Sequence, residues 1–150
     1  MERMERGAVD DFLYDRGTGV LTLQTDAGEA PYPVPLSFGY DGEVLYFHSG
    51  GRGRKNSLVT DPIEASFVVY DDSRGVWRSV VIAGTLAAVP AERAVEGYEV
   101  LSENAAFPPD VTTWGEPLET TPFELYALDV EEIEGRRFET GSVPDDVLAH

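Results

Sequence analysis

Apolar and polar residues alternate along several stretches of this chain, the pattern typical of β-strands with one buried face. It is clearest in residues 20–25 and 63–70, and residues 43–47 are predicted as a further strand because they are rich in Val, Tyr and Phe. Residues 76–89 are apolar almost throughout, with Gly84 placed for a bulge or a bend. Such a strand is expected to be covered on both faces, which in a chain of this size indicates a subunit interface.

Helical periodicity appears in two places. Residues 4–14 carry an apolar stripe, and residues 90–103 carry a second one after an early proline. Residues 107–121 are rich in Pro and Thr and predict a long ordered loop around Trp114. A last strand is predicted over residues 122–132, followed by a separate extended segment over 133–139 and a frayed tail from residue 142.

Residues 30–40 form a strand candidate that holds three prolines at alternate positions, Pro31, Pro33 and Pro35. Proline has no backbone N–H, so one edge of this strand cannot donate to a neighbouring strand. The alternate prolines have two equally supported interpretations. The prolines blunt an edge strand against aggregation, or they leave backbone free to face a ligand.

About six strands, short hairpins and few helices predict a mainly β fold, a closed antiparallel barrel. A length of 150 residues is that of one domain, here residues 1–150 with an N-terminal helical segment over 1–17 and a tail over 142–150.

The glycine-rich stretch over residues 46–56 is the strongest candidate for chemistry. Gly50, Gly51 and Gly53 precede or separate the cations Arg52, Arg54 and Lys55, and Lys55 is the only lysine in the chain. A strand that leads through a glycine loop into one or two helical turns (residues 55–60) favours a phosphate at the helix N-terminus. The spacing is not that of a nucleotide-binding P-loop, and a solvated hairpin loop is the other interpretation.

The amino-acid composition of the chain limits the kinds of binding partner and the cellular location that are expected. The formal net charge is -17, spread along the chain, which predicts an acidic surface adapted to high salt and argues against nucleic acid or an anionic membrane as partner. No apolar run is long enough to span a bilayer, the N-terminus lacks the pattern of a signal peptide, and there is no cysteine. A cytoplasmic location is therefore expected, and a metal site built on the two histidines is not.

Taken together, these motifs resemble the pyridoxamine 5′-phosphate oxidase-like FMN-binding split-barrel superfamily, in particular its nitroimidazole-resistance-type branch. The resemblance runs through most of the chain in the family's order. It is carried by residues 19–23, 31–38, 45–49, 53–55, 77–81 with Gly84, and 133–137.

The resemblance implies a homodimer of six-stranded split barrels with FMN at the subunit interface. The implied cofactor-binding residues fall into four groups: the flavin ring and ribityl contacts Tyr32, Pro33, Val34, Pro35, Leu36 and Ser37; the next strand's Phe47, His48 and Ser49; the phosphate clamp Arg54 and Lys55 with Asn56 in support; and Ser79 with the Trp114 loop.

The chain departs from true pyridoxamine phosphate oxidases. Tyr32 and Ser37 stand where those enzymes have a phosphate-binding Arg and a Lys, and the C-terminal substrate-binding stretch is missing. Oxidation of pyridoxine phosphate is therefore not expected. The phosphate clamp is leaner than in those enzymes, with Arg52 as a replacement cation.

Two main functions follow. The first is an FMN-dependent oxidoreductase acting on a small electron acceptor, with His48 as the catalytic proton donor or substrate anchor. The alternative is a non-enzymatic binding protein for flavin, haem or deazaflavin on the same barrel. A barrel that acts only through its dimer surface is a third possibility. From the residues alone, His48 also fits a structural histidine.

Overall fold

The computed structural model describes residues 1–24, 30–49, 62–104 and 124–139. These residues form eight strands, two α-helices and a short 3-10 helix. The strands are β1 (Glu2–Arg3), β2 (Thr18–Leu23), β3 (Tyr32–Ser37), β4 (Gly39–Tyr40), β5 (Val44–Ser49), β6 (Ile63–Ser73), β7 (Val76–Ala88) and β8 (Glu124–Glu139); the helices are α1 (Arg6–Asp15) and α2 (Ala94–Asn104), with the 3-10 helix over Ala91–Arg93.

All eight strands belong to one antiparallel sheet with the order β3-β2-β6-β7-β8-β5-β4, and β1 pairs with the end of β8. The sheet curls, because β3 and β4 lie at its opposite ends yet are separated in sequence only by Phe38. The predicted mainly β split barrel is confirmed, with eight strands rather than six.

The pairing of β7 with β8 shifts register between Ala83 and Gly84, at the predicted bulge. A Cβ atom at Gly84 would lie 1.9 Å from the carbonyl oxygen of Asp129. No side chain fits at that distance, so the close approach of the two strands requires glycine there.

The barrel core lies on the inner face of the sheet. Phe67 is fully buried between Phe38 and Phe47, with ring centroids 5.2 Å and 5.0 Å away. Helix α1 closes this core with Val9, Phe12 and Leu13. Helix α2 covers the outer face of β5 and β8 in a second cluster, formed by Tyr46, Leu101, Leu125 and Ala127.

Polar contacts fix α1 to the strands. The Tyr40 hydroxyl donates to the Asp10 carboxylate at 2.7 Å, and Arg6 donates to the Gly42 carbonyl at 2.9 Å. Burial, followed by the bond to Asp10, raises the pKa of Tyr40 to about 12. We call Arg6, Asp10 and Tyr40 the α1 corner.

A second polar group lies at the C-terminal end of α1. Asp71 pairs with Arg16 at 3.2 Å and with Arg78 at 3.3 Å, and both guanidinium groups lie over the Phe12 ring. Hydrogen bonding from Ser73, aided by the two arginines, lowers the pKa of Asp71. This cluster joins α1 to the β6–β7 hairpin.

The helix predicted over residues 4–14 is confirmed as α1, and the second helical pattern as the 3-10 helix with α2. Three expectations differ from the structure. Residues 30–40 form two strands, the segments over 122–132 and 133–139 belong to one strand, and β1 was not foreseen. The helical turns over 55–60, the loop over 107–121 and the tail lie outside the described residues.

The expectation that β7 is covered on both faces is not met within the described residues of one chain. Val80, Ile82 and Leu86 face the core, whereas Val81 on the opposite face is 49% exposed. Over the four described ranges, no helix has the length and apolar character needed to cross a membrane.

Candidate functional site

The sheet opens where the chain passes from β3 to β4. Ser37 pairs with Thr18 of β2, whereas Gly39, only two residues later, pairs with Tyr46 of β5. Among the described residues β3 forms a ladder only with β2, so β3 and the end of β5 diverge on either side of Phe38. We call the opening between Tyr32–Ser37 and His48–Ser49 the split.

One edge of the β3 backbone pairs with β2, and the other edge faces the split. The Phe38 N–H donates to the Gly17 carbonyl at 3.0 Å, on the side of β2. Because backbone groups alternate along a strand, the N–H groups of Tyr32, Val34 and Leu36 also point to β2. Pro33 and Pro35 therefore direct their carbonyls to the opposite edge, where both residues are exposed.

The backbone of β5 is oriented by the same argument. The Asp41 N–H donates to the Val44 carbonyl at 3.2 Å, on the β4 side of β5. Tyr46 and His48 share this alternation, so the N–H and C=O groups of His48 face the split. Phe47, by contrast, pairs with Tyr126 of β8. The structure thus brings two predicted groups of site residues, 32–37 and 48–49, to the two sides of one opening.

The side chains of the predicted ring-contacting residues are not equivalent. Phe47 is fully buried, and its ring packs against Phe67 in the core. Its role is to fix the end of β5 on the core. Leu36 packs partly against the same core, whereas Ser37 and Val34 are half-buried. For Tyr32, His48 and Ser49 only the backbone is described.

Ser79 does not lie at the split of its own chain. It pairs with Tyr70 on one side and with Arg136 on the other. Three strand spacings separate β7 from β3, about 14 Å. Ser79 could therefore join the other predicted residues only across a contact with a second chain. Arg54, Lys55, Asn56 and Trp114 lie outside the described residues.

The outer face of β2, β6 and β7 carries a signal that sequence reasoning missed in part. Val20, Val68 and Val81 lie side by side across the three strands, and the next row consists of Thr22, Ser66 and Ala83. Beyond them the Tyr70 ring stacks on Trp77, with centroids 5.3 Å apart. We call these eight residues the uncharged face. Alternation in β2 and β6 predicts the members on those two strands, but only the register aligns them with the residues of β7.

The negative charge of the chain excludes another opening as an anion site. A cavity of about 460 Å³ beside β2 and β6 is lined by Glu64, Glu131 and Glu132, and none of its described lining residues is a cation. Carboxylates repel a phosphate, so a nucleotide is disfavoured there. In the part of the chain that the structure describes, no three acidic or histidine side chains are grouped to hold a metal ion.

The sequence of this chain matches one known protein family over most of its length. Residues 5–137 match the family model of pyridoxamine 5′-phosphate oxidase. Among curated proteins, none matches the sequence significantly.

Solved structures share the architecture. An FAD-binding protein from Mesorhizobium loti superposes with a TM-score of 0.67 at 23% identity, covering 92% of this chain and 98% of its own. An FAD and haem binding protein from Mycobacterium smegmatis gives 0.73 at 16% identity, with 99% and 80% covered. A Bacteroides thetaiotaomicron protein assigned to 5-nitroimidazole antibiotic resistance gives 0.66 at 17% identity, with 91% and 87% covered.

Proposed function

This chain belongs to the pyridoxamine 5′-phosphate oxidase family, and we propose that it is a flavin-binding protein that holds FMN at the split. The observation that carries the proposal is the split itself. Two strands anchored on one core diverge there, and among the described residues no strand ladder includes the outward edge of Pro33 and Pro35 or the β4 side of His48. The names of two structural neighbours, which state that they bind FAD, support a flavin.

The described residues fit the ring of a flavin. Carbonyls on the β3 edge would accept a hydrogen bond from a ring N–H, and Ser37 and the backbone N–H of His48 would donate to ring oxygens. Flavin supplies the transfer of electrons when bound, whereas the protein supplies binding, orientation and electrostatics. We assign the phosphate to Arg54 and Lys55, with Asn56 in support. One phosphate group matches this small cation set, which is why we propose FMN rather than FAD.

The test is titration of the purified protein with FMN and with FAD, followed by quenching of flavin fluorescence. FMN should bind more tightly. Replacing both Arg54 and Lys55 by Ala should weaken FMN binding about a hundredfold, because two charge-assisted contacts are lost. The matched control removes two exposed arginines elsewhere, Arg3→Ala with Arg74→Ala, and should leave the affinity unchanged. Equal affinities for all three proteins would refute the phosphate assignment.

We further propose that the bound flavin passes electrons to a small acceptor, with His48 as proton donor or substrate anchor. Its place at the end of β5 beside the split supports this role. His48→Gln should lower turnover with a competent acceptor about a hundredfold and leave FMN affinity unchanged. A protein that binds flavin but transfers electrons to none of a panel of nitroaromatic and quinone acceptors would favour a non-enzymatic carrier instead.

We propose a homodimer formed through the uncharged face. In a chain of net charge -17, these eight uncharged residues form a patch on which two copies can pack, with the acidic residues Glu64, Glu132 and Glu134 at its margin. Such a contact would cover Val81, and the partner's Ser79 and Trp114 could then approach the split. Val81→Glu should convert the dimer to monomers in sedimentation, whereas Val95→Glu, on exposed α2, should not. A monomeric parent protein would contradict this proposal.

A further inference from the structure

The edge of β3 that faces the split carries backbone hydrogen-bond acceptors but almost no donors. Pro33, Pro35 and Ser37 are the three β3 residues whose backbone groups point away from β2, and only Ser37 has an N–H. The preceding Pro31 has none either. The described residues form no hydrogen bond to the carbonyls of Pro33 or Pro35. The edge is therefore a row of acceptors.

This chemistry excludes one common occupant of a free sheet edge. An added β-strand needs donors and acceptors in alternation, and the prolines supply no donors. Water can satisfy the carbonyls while they are exposed. A ligand that replaces this water must donate hydrogen bonds, because an acceptor buried without a donor is costly.

The proposed ligands differ in this respect. Flavins and 5-deazaflavins carry an imide N–H at ring position 3. The periphery of haem carries propionates, which are acceptors when ionised, and no N–H. Given that the proposed flavin site is correct, we infer that the β3 edge selects its ligand through this imide N–H, and so binds flavin or deazaflavin rings in preference to haem.

Binding of FMN methylated at ring N3 tests the inference, since the methyl group removes the donor and leaves the phosphate end intact. Titration followed by fluorescence quenching should show the methylated ring binding at least about tenfold more weakly than FMN. Equal affinity would overturn the inference and leave the proposed flavin site standing. Failure of both ligands to bind would refute the flavin site itself, and this inference with it.

A second readout does not depend on the size of the methyl group. Carbonyl acceptors favour the protonated imide, so the pKa of ring N3 should rise when FMN binds, as seen by absorbance at alkaline pH. A pKa equal to or below that of free FMN would contradict the assignment. Haemin at equimolar concentration should not displace FMN, and its displacement of FMN would likewise overturn the preference.

Discussion

The α1 corner and the split lie against the same core but treat polar groups in opposite ways. In the α1 corner the Tyr40 hydroxyl, the Asp10 carboxylate and the Arg6 guanidinium bond to one another or to backbone. At the split, the carbonyls of Pro33 and Pro35 accept nothing from the described residues. Groups paired within the chain stabilise the fold, and groups left unpaired on anchored strands are available to a ligand. Mutations should separate these two roles.

The largest effect is expected at Phe67, where one side chain serves both the stability of the fold and the shape of the split. Phe67 is fully buried and contacts Phe38, where β3 ends and the split begins, and Phe47 of β5. Phe67→Ala should cost about 3–5 kcal/mol of unfolding free energy, measured by urea denaturation, because it leaves a cavity. FMN affinity should fall as well, since both strands lose their support. Val95→Ala, with a 71% exposed side chain, should change neither quantity.

The α1 corner should affect stability alone. Tyr40→Phe removes the bond to Asp10 and should cost about 1–2 kcal/mol. Because the pKa of Tyr40 is raised to about 12, its contribution is complete below pH about 10 and is lost as the pH rises toward 12. The two proteins should therefore converge in stability at high pH.

FMN affinity in Tyr40→Phe should equal that of the parent protein. The exposed Tyr70 gives the matched control, as Tyr70→Phe should leave the free energy of unfolding unchanged. A loss of flavin binding in Tyr40→Phe at full occupancy of the folded state would show that the two regions are coupled.

Added salt should raise the thermal stability of the protein and lower its affinity for FMN. Self-repulsion in a chain of net charge -17 is screened at about 1 M KCl, where the Debye length is about 3 Å, so the midpoint of thermal unfolding should rise. The proposed attraction between FMN phosphate and Arg54 with Lys55 is screened too, so flavin affinity should fall. A midpoint that falls with added KCl would contradict the proposed adaptation to high salt.

The smallest effect is expected at Asp71. Its lowered pKa means that its stabilisation is present above the unfolded value, about pH 4, and is lost as the pH falls through the folded value. Asp71→Asn should be less stable than the parent at pH 6 and should approach it near pH 2. The neighbouring, exposed Asp72 serves as control, and Asp72→Asn should have the stability of the parent at pH 6.

Local pattern was sufficient for most elements of the fold. Alternation identified β2 and β6, the Val, Tyr and Phe content of residues 43–47 identified β5, helical periodicity identified α1 and α2, and Gly84 marked the bulge. It failed for β1, because two charged residues form a strand only by pairing with β8, and their pairing partner lies far away in sequence. It also failed at Phe38, where the apolar pattern continues while the pairing partner changes.

The sequence predicted which residue types lie at the candidate site better than it predicted how they are arranged in space. Alternate prolines predicted an edge of β3 without donors, but both interpretations of that edge stayed open. Register resolved its direction, since Phe38 donates to Gly17 and so turns the prolines away from β2. The burial of Phe47 and the distance of Ser79 from β3 could not be read from residue types, because both depend on contacts between strands remote in sequence.

Residue types and their spacing were enough to locate most strands and helices, the edge that lacks donors and the charge of the surface. The divergence of β3 and β5 around one core, the support that Phe67 gives to both, and the alignment of three strands into the uncharged face could not be obtained in that way. Those features arise from register and closure of the sheet, which are set by packing of residues far apart in the chain.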